Sequence, residues 1–274
     1  MVVFGIVYAI MVSAASHRLT TGFGLAALNV TVVTAAIAVT PRMRAGSGWV
    51  RFLGVTLPLF VFYLFFKEAG LALGRPDVTW LDSVIAGSEI GWWESAGTDP
   101  GSPLLGELLA AAYMSYVPLL IVVVVALLRL PSRGAWAPAE TFVRRVCIAW
   151  AICYVLYLMI PVLGPRFVYA GYQAPRMGAG PASALAQLNQ EHGMLRGAAF
   201  PSAHMAATAV AVQSAWRWRR AVFRLVFPLS IALAIGAVYL GYHYVVDIPA
   251  GLLVAALAIG ADHVAFGGRE APGL

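Results

Sequence analysis

The sequence predicts an all-α protein, a polytopic transmembrane helical bundle of about six to eight spans, each crossing needing about 20 apolar residues. Two observations carry this. Hydrophobic residues make up 61% of the 274 residues and charged ones 11%, with a mean hydropathy of +0.82. That is more apolar surface than a soluble domain needs for its core. The apolar residues also fall into separate runs, at 2–16, 21–40, 50–73, 104–129, 142–163, 201–216, 221–241 and 245–266. The first and sixth are short, and the alanine-rich start of the sixth suits packing against other helices better than lipid contact. The N-terminus lacks a basic region followed by a small-residue cleavage site, so it reads as a retained first span.

The intervening loops carry the charge. The net charge of +6 resides in arginine, with Lys67 the only lysine. Arg42, Arg44 and Arg51 separate the second and third runs. Arg129, Arg133, Arg144 and Arg145 separate the fourth and fifth, and Arg217, Arg219, Arg220 and Arg224 the sixth and seventh. Arginines in short loops report membrane orientation rather than nucleic-acid binding. With eight spans these loops share one side, which the positive-inside tendency makes cytoplasmic, together with both termini. The opposite, outer side then receives residues 74–103, 164–199 and the turn at 239–243. The first of these holds Asp77, Asp82, Glu89, Glu94 and Asp99, and its Trp80–Trp93 portion reads as a loop or an interfacial helix on the outer surface. Lys67 and Glu68 read as a local ion pair near the outer end of their span. Cys147 and Cys153 are six apart on one helix and face different directions, so no bridge is expected. No Cys or His cluster has metal-ligand spacing, and neither a metal nor a cofactor is expected. The chain reads as one membrane domain, 1–274. Residues 1–141 supply N-terminal helices and the outer Trp-rich loop, and 142–266 form a core. The arginine and alanine bias suits a bacterial inner membrane.

Reactive groups concentrate between Phe200 and Asp247. Phe200-Pro201-Ser202-Ala203-His204 opens this stretch and His243-Tyr244-Val245-Val246-Asp247 closes it. On a helix His243 and Asp247 share a face, and a carboxylate one turn from an imidazole fixes its tautomer and stabilises its charged form. Pro201 suits the first turn of a helix, whose free amides make an anion site, with Ser202 adding a hydroxyl donor. His204 lies just inside, placed to protonate a leaving oxygen. Gly164-Pro165-Arg166 ends a span on the same side, and the planar fork of Arg166 suits a phosphate. Together these read as a phosphoryl site. The plain alternatives are a satisfied polar pair for His243 and Asp247, a simple cap for Ser202 and a snorkelling Arg166. Tyr239, Tyr242 and Tyr244 read first as belt aromatics, with Tyr244 also a candidate substrate contact beside His243.

These residues resemble the type-2 phosphatidic acid phosphatase superfamily over about residues 142–266. That family's second motif, Pro-Ser-x-His, is matched at Pro201, Ser202 and His204, and its third, ending His-x-x-x-Asp, at His243 and Asp247. The third motif usually begins Ser-Arg; here those positions are Gly236 and Ala237. The usual first motif, Lys-x6-Arg-Pro, is replaced by Gly164-Pro165-Arg166. These departures bring the chain closest to the inositol-phosphorylceramide-synthase and sphingomyelin-synthase branch, with Arg176 or Arg196 as replacement for the missing arginine.

The resemblance implies a phosphatidic-acid-phosphatase-type helical core and a metal-free mechanism. His243 attacks phosphorus and becomes a phosphohistidine, Asp247 orients it, and His204 protonates the leaving oxygen and then activates the acceptor. Arg166, Ser202, Arg176, Arg196 and Tyr244 are the candidate substrate contacts. The implied partners are a lipid phosphate or phospholipid, a possible hydroxyl acceptor lipid and the membrane. A phosphotransferase of the inositol-phosphorylceramide-synthase type is the first expectation. A lipid phosphatase acting on phosphatidic acid or a polyprenyl phosphate or diphosphate is the second. A lipid transporter or scaffold that kept the fold without its chemistry is the third.

Overall fold

A computed structural model describes residues 8, 19–74, 76–77, 79–98, 102–130, 136–169 and 178–267. The regular elements among the described residues are all helices, and their one extended pairing is an isolated bridge between Val162 and Ala198. The helices are α1 (Leu19–Ala45), α2 (Gly48–Leu73), α3 (Trp80–Thr98), α4 (Pro103–Met114), α5 (Tyr116–Leu128), α6 (Trp136–Met159), α7 (Pro165–Val168), α8 (Pro181–His192), α9 (Ala203–Trp218), α10 (Arg220–Tyr239) and α11 (Asp247–Phe266).

Four of these, α2, α6, α10 and α11, are long and apolar enough to cross a membrane. A fifth span results if α4 and α5 act as one, bent by 46°. The run expected to be continuous over 104–129 is therefore broken at Ser115. Pro118, in the first turn of α5, lacks the amide that would bond back to Met114, and its ring crowds that carbonyl. The expected sixth span corresponds to α9, whose 16 residues cover only about 24 Å against a hydrocarbon core of about 30 Å. The run at 2–16 lies, apart from Tyr8, outside the described residues. The Trp80–Trp93 segment is a helix, and its start is fixed by a capping box. Thr79 Oγ1 accepts from the Asp82 amide at 3.3 Å while Asp82 Oδ2 accepts from the Thr79 amide at 2.8 Å.

Helices α6, α9, α10 and α11 pack together, with α4 and α5 against α9 and α10, and α2 linking α1 to α6. Arg144 and Arg145, expected in a loop, lie inside α6, because both pair with Asp262 near the end of α11. Arg145 is 2% exposed, bonds Asp262 Oδ2 at 2.8 Å and donates to Gln213 at 3.3 Å. Burial of that charge is tolerable because it is paired and hydrogen-bonded. Arg51 lies 4.2 Å over the Trp136 ring and Arg145 5.9 Å from that of Trp218. The arginine-bearing ends of α2, α6 and α9 thus gather, with the Asp262 end of α11, at one end of the bundle. Lys67 does not pair with Glu68; its Nζ donates to the carbonyls of His192 and Gly193 at 3.3 and 3.2 Å, closing the C-terminus of α8. Cys147 and Cys153 are free and buried.

Candidate active site

The end of the bundle opposite the arginines holds the candidate residues. Helix α9 begins at Ala203, so Ser202 is its N-cap and Pro201 precedes the helix rather than entering its first turn. Ser202 Oγ accepts from the Met205 amide at 3.3 Å. The Ser202 amide donates to the Asp247 carbonyl at 3.2 Å. The Tyr157 hydroxyl donates to the Pro201 carbonyl at 2.9 Å and accepts from the Ala203 amide at 3.2 Å. The amides of Ser202, Ala203 and Met205, expected to contribute to an anion site at this helix start, are therefore engaged within the fold.

His243 is not on a helix with Asp247. It sits in the turn ahead of α11, and Asp247 is that helix's first residue. The pair forms because the turn folds back. Asp247 Oδ2 accepts from the Tyr244 amide at 2.8 Å and lies 3.1 Å from His243 Nδ1. The Ala199 carbonyl lies 2.9 Å from the same nitrogen. Two acceptors at Nδ1 place the proton there, which leaves a lone pair on Nε2. Ser202 Oγ stands 3.2 Å from Nε2, so with the ring proton on Nδ1 the hydroxyl is the group that gives Nε2 a hydrogen. That tautomer turns the free lone pair of His243 toward Ser202, and the side chain is 4% exposed.

The ring of His204 lies 5.8 Å from that of His243. It is held between Tyr113 and Tyr116, at 5.1 and 4.4 Å between ring centroids. The Tyr116 hydroxyl accepts from Trp150 Nε1 at 3.0 Å, and Tyr113 stacks on Tyr242 at 4.0 Å. The two imidazoles therefore share a largely aromatic surround, in which hydrogen bonds and charges act more strongly than in water.

Arg166 stands on α7 and interacts electrostatically with Tyr242, the residue before His243. Gly164 lets the chain pass close to the turn, since a Cβ there would lie 3.0 Å from the Tyr242 carbonyl oxygen. Arg166 Nη1 donates to the Gln190 carbonyl at 2.8 Å and touches Met194 Sδ at 3.2 Å. Burial lowers its pKa from the ordinary guanidinium value, with Tyr242 and Glu191 opposing, and the group stays charged. Arg166 and Arg196 both lie against the ring of Phe167, at 4.9 and 4.8 Å. Arg176 lies outside the described residues. Tyr244, a candidate substrate contact, is fully buried, and its ring packs with Ile85, Ala86, Val162 and Ala199 rather than facing an open surface.

Helix α3 braces the two halves of the site. Asp82 Oδ1 accepts from the Leu163 amide at 2.6 Å, and the Tyr169 hydroxyl donates to the Ala86 carbonyl at 2.6 Å. The Glu89 carboxylate accepts from the amides of Val245 and Val246, both at 3.0 Å. One helix thus grips the segment that carries Arg166 and the turn between His243 and Asp247.

The missing Ser-Arg pair has a packing explanation. Gly236 faces α4, where a Cβ would lie 2.6 Å from the Leu109 carbonyl oxygen. Ala237 is fully buried in a cluster with Ala110, Tyr113, Leu233 and Tyr242. The close approach of α4 fills the space an arginine at 237 needs, and it brings Tyr113 to His204.

The sequence model of the PAP2 superfamily matches residues 89–261. The chain belongs to the PAP2 superfamily. The match runs from the brace residue Glu89 to the end of α11 and contains His204, His243 and Asp247. Curated proteins and solved structures gave no match. PAP2 membership makes this an integral membrane protein of the lipid phosphatase and phosphotransferase type. Glu89, Asp82, Tyr113, Tyr116 and Tyr157 had no assigned place in the sequence reading of the site. Only Thr79-x-x-Asp82 announced itself, as a capping-box pattern.

Proposed function

We propose that this PAP2 protein moves a phosphate-linked group from a lipid to a hydroxyl acceptor through a phosphohistidine on His243, as a phosphotransferase of the inositol-phosphorylceramide-synthase type. The observation that supports this reading best is the set of partners around the His243 ring. Its Nδ1 faces two oxygen acceptors and its Nε2 faces a hydroxyl donor. Nε2 attacks phosphorus, the bond from phosphorus to the leaving oxygen breaks, and protonated His204 gives that oxygen its proton. Ser202 passes its hydrogen bond from Nε2 to a phosphoryl oxygen, and Arg166 holds a second. Neutral His204 then takes the acceptor's proton, the acceptor oxygen attacks, and the phosphorus–nitrogen bond breaks to restore His243. Fixed donors around a charge-bearing phosphoryl group are the main source of rate in such reactions.

A hydroxyl is favoured over water as acceptor because the rings of Tyr113, Tyr116 and Tyr242 surround the histidine pair, and excluding water protects an intermediate from hydrolysis. The site belongs on the outer face of a bacterial inner membrane in this reading, since the arginine-rich end is the cytoplasmic one. The test uses purified protein in detergent with head-group-labelled phosphatidylinositol or phosphatidic acid, an added diacylglycerol or ceramide, and His243→Ala as blank. Label on the second lipid supports the transferase. Label released as phosphate or head group makes the protein a hydrolase acting through the same residues. Turnover that survives in His243→Ala removes the phosphohistidine.

A further inference from the structure

A cavity of about 650 Å³ lies along the lipid-facing side of α9, α10 and α11. Its near end is formed by Met205 and Ile248, the residues that follow His204 and Asp247. Small side chains, Ala209, Ser230 and Ala234, line its length. Of its two polar residues, the Ser230 hydroxyl donates to the Val226 carbonyl at 2.6 Å, and the Gln213 side-chain oxygen accepts from Arg145 at 3.3 Å. The rest of the lining is apolar. Ile231, Ile235 and Leu252 are about half exposed, so the groove opens sideways. Its far end meets an aromatic wall in which Trp216 packs edge-on to Phe223 at 4.7 Å and Phe223 stacks on Phe227 at 5.2 Å. Arg220 covers Trp216 from beyond, 3.2 Å from the ring centroid.

We infer that this groove holds one hydrocarbon chain of the lipid substrate, and that the Trp216–Phe223–Phe227 wall limits the chain length accepted. The proposal rests on the lipid-transfer reading of the site. Position supports it, because Met205 and Ile248 in its lining each lie one residue beyond a candidate catalytic group. Length supports it too. Met205 to Trp216 is eleven residues of α9, about 16 Å, the length that one leaflet's chain has in an about 30 Å hydrocarbon core.

The test measures kcat/KM for dioctanoyl, dipalmitoyl and dilignoceroyl phosphatidate with wild-type protein, Phe223→Ala and Ala234→Phe. A methylene gained or lost in an apolar pocket changes discrimination by about tenfold or more. Phe223→Ala is expected to raise the dilignoceroyl-to-dipalmitoyl ratio by about that factor. Ala234→Phe, which narrows the groove, is expected to lower dipalmitoyl against dioctanoyl by a similar factor, with dioctanoyl turnover kept. Ratios equal in all three proteins overturn the proposal. A binding measurement makes it independent of turnover. Dibromostearoyl phosphatidate is expected to quench wild-type tryptophan fluorescence more than that of Trp216→Phe. Equal quenching of the two proteins, or equal quenching by the matching brominated phosphatidylcholine, overturns it. If the wild type turns over none of the series while Trp216 is still quenched selectively, the catalytic reading falls and the groove stands.

Discussion

Replacing Gly236 with alanine tests whether α4 is seated where the structure puts it. The added Cβ would lie 2.6 Å from the Leu109 carbonyl oxygen and 3.3 Å from its carbon. Ordinary contact is about 3.5 Å, so α4 and α10 must part by roughly 1 Å. Backbone faces backbone there, and no flexible side chain can yield. Overpacking of this kind costs about 1–3 kcal/mol, while alanine returns about 1 kcal/mol of helix propensity. Gly260 on α11 isolates the packing effect, because a Cβ there meets nothing within 4 Å. Both substitutions gain the same propensity, so Gly236→Ala is expected to be less stable than Gly260→Ala by about 1–3 kcal/mol. In a chain of this size that is a difference of roughly 2–10 °C in melting temperature. The assay is thermal unfolding in detergent, followed by near-ultraviolet circular dichroism. Activity should fall with Gly236→Ala as well, since Tyr113 moves with α4 and holds His204. A Gly236→Ala protein at least as stable as Gly260→Ala would refute the close approach of α4, and with it the account of why no arginine stands at 237.

Four other outcomes are expected. Asp247→Asn turns a donor toward His243 Nδ1 and moves the proton to Nε2, and kcat should fall on the order of 10⁴-fold; normal single-turnover phosphorylation of His243 would contradict the tautomer. His204→Ala should slow poor leaving groups by about 10²–10⁴-fold and good ones far less, and a uniform small effect across a leaving-group series would argue against the acid role. Glu89→Ala removes two charge-assisted bonds from the turn between His243 and Asp247. It should lower kcat by roughly 10–100-fold through misplacement, with Glu89→Gln intermediate; unchanged kcat in both would show that the brace does not govern the pair. Activity should survive EDTA, and a loss restored by added metal would contradict the metal-free mechanism.

The candidate site residues stood out in the sequence because polar groups are scarce in this chain. Pro201-Ser202-x-His204 and His243-x-x-x-Asp247 stand at the ends of apolar runs, where few other functions account for them. Their local geometry was harder to read. Spacing of four suggested one helical face, but the turn at Tyr244–Val246 makes the pair instead, with the carboxylate capping its own turn. A free helix start at Ser202 was also expected, and it is closed by Tyr157 from α6 and Asp247 from α11. Such closures are long-range, separated by about 40 residues or more in the chain, and no local pattern encodes them. The same holds for Arg145 and Asp262, 117 residues apart. Arg145, read as a loop charge, is one half of a buried pair. Spans read from apolar length alone also miss breaks that single residues impose, as Pro118 does between α4 and α5.

The placement of Arg166 has a consequence for how such a protein can change. In the pattern that this chain resembles, the third-motif arginine rides on the same helix as the nucleophile's turn, so cation and nucleophile move as one body. In the proposed reading the cation, Arg166, sits on α7, a four-residue helix of its own, held by its bond to the Gln190 carbonyl and by the grip of α3 on Leu163 and Tyr169. Recognition of the anion and attack upon it are separable parts in that reading. Substitutions in 164–168 or along the gripping face of α3 can retune which phosphate-bearing head group is held while the histidine pair keeps its geometry.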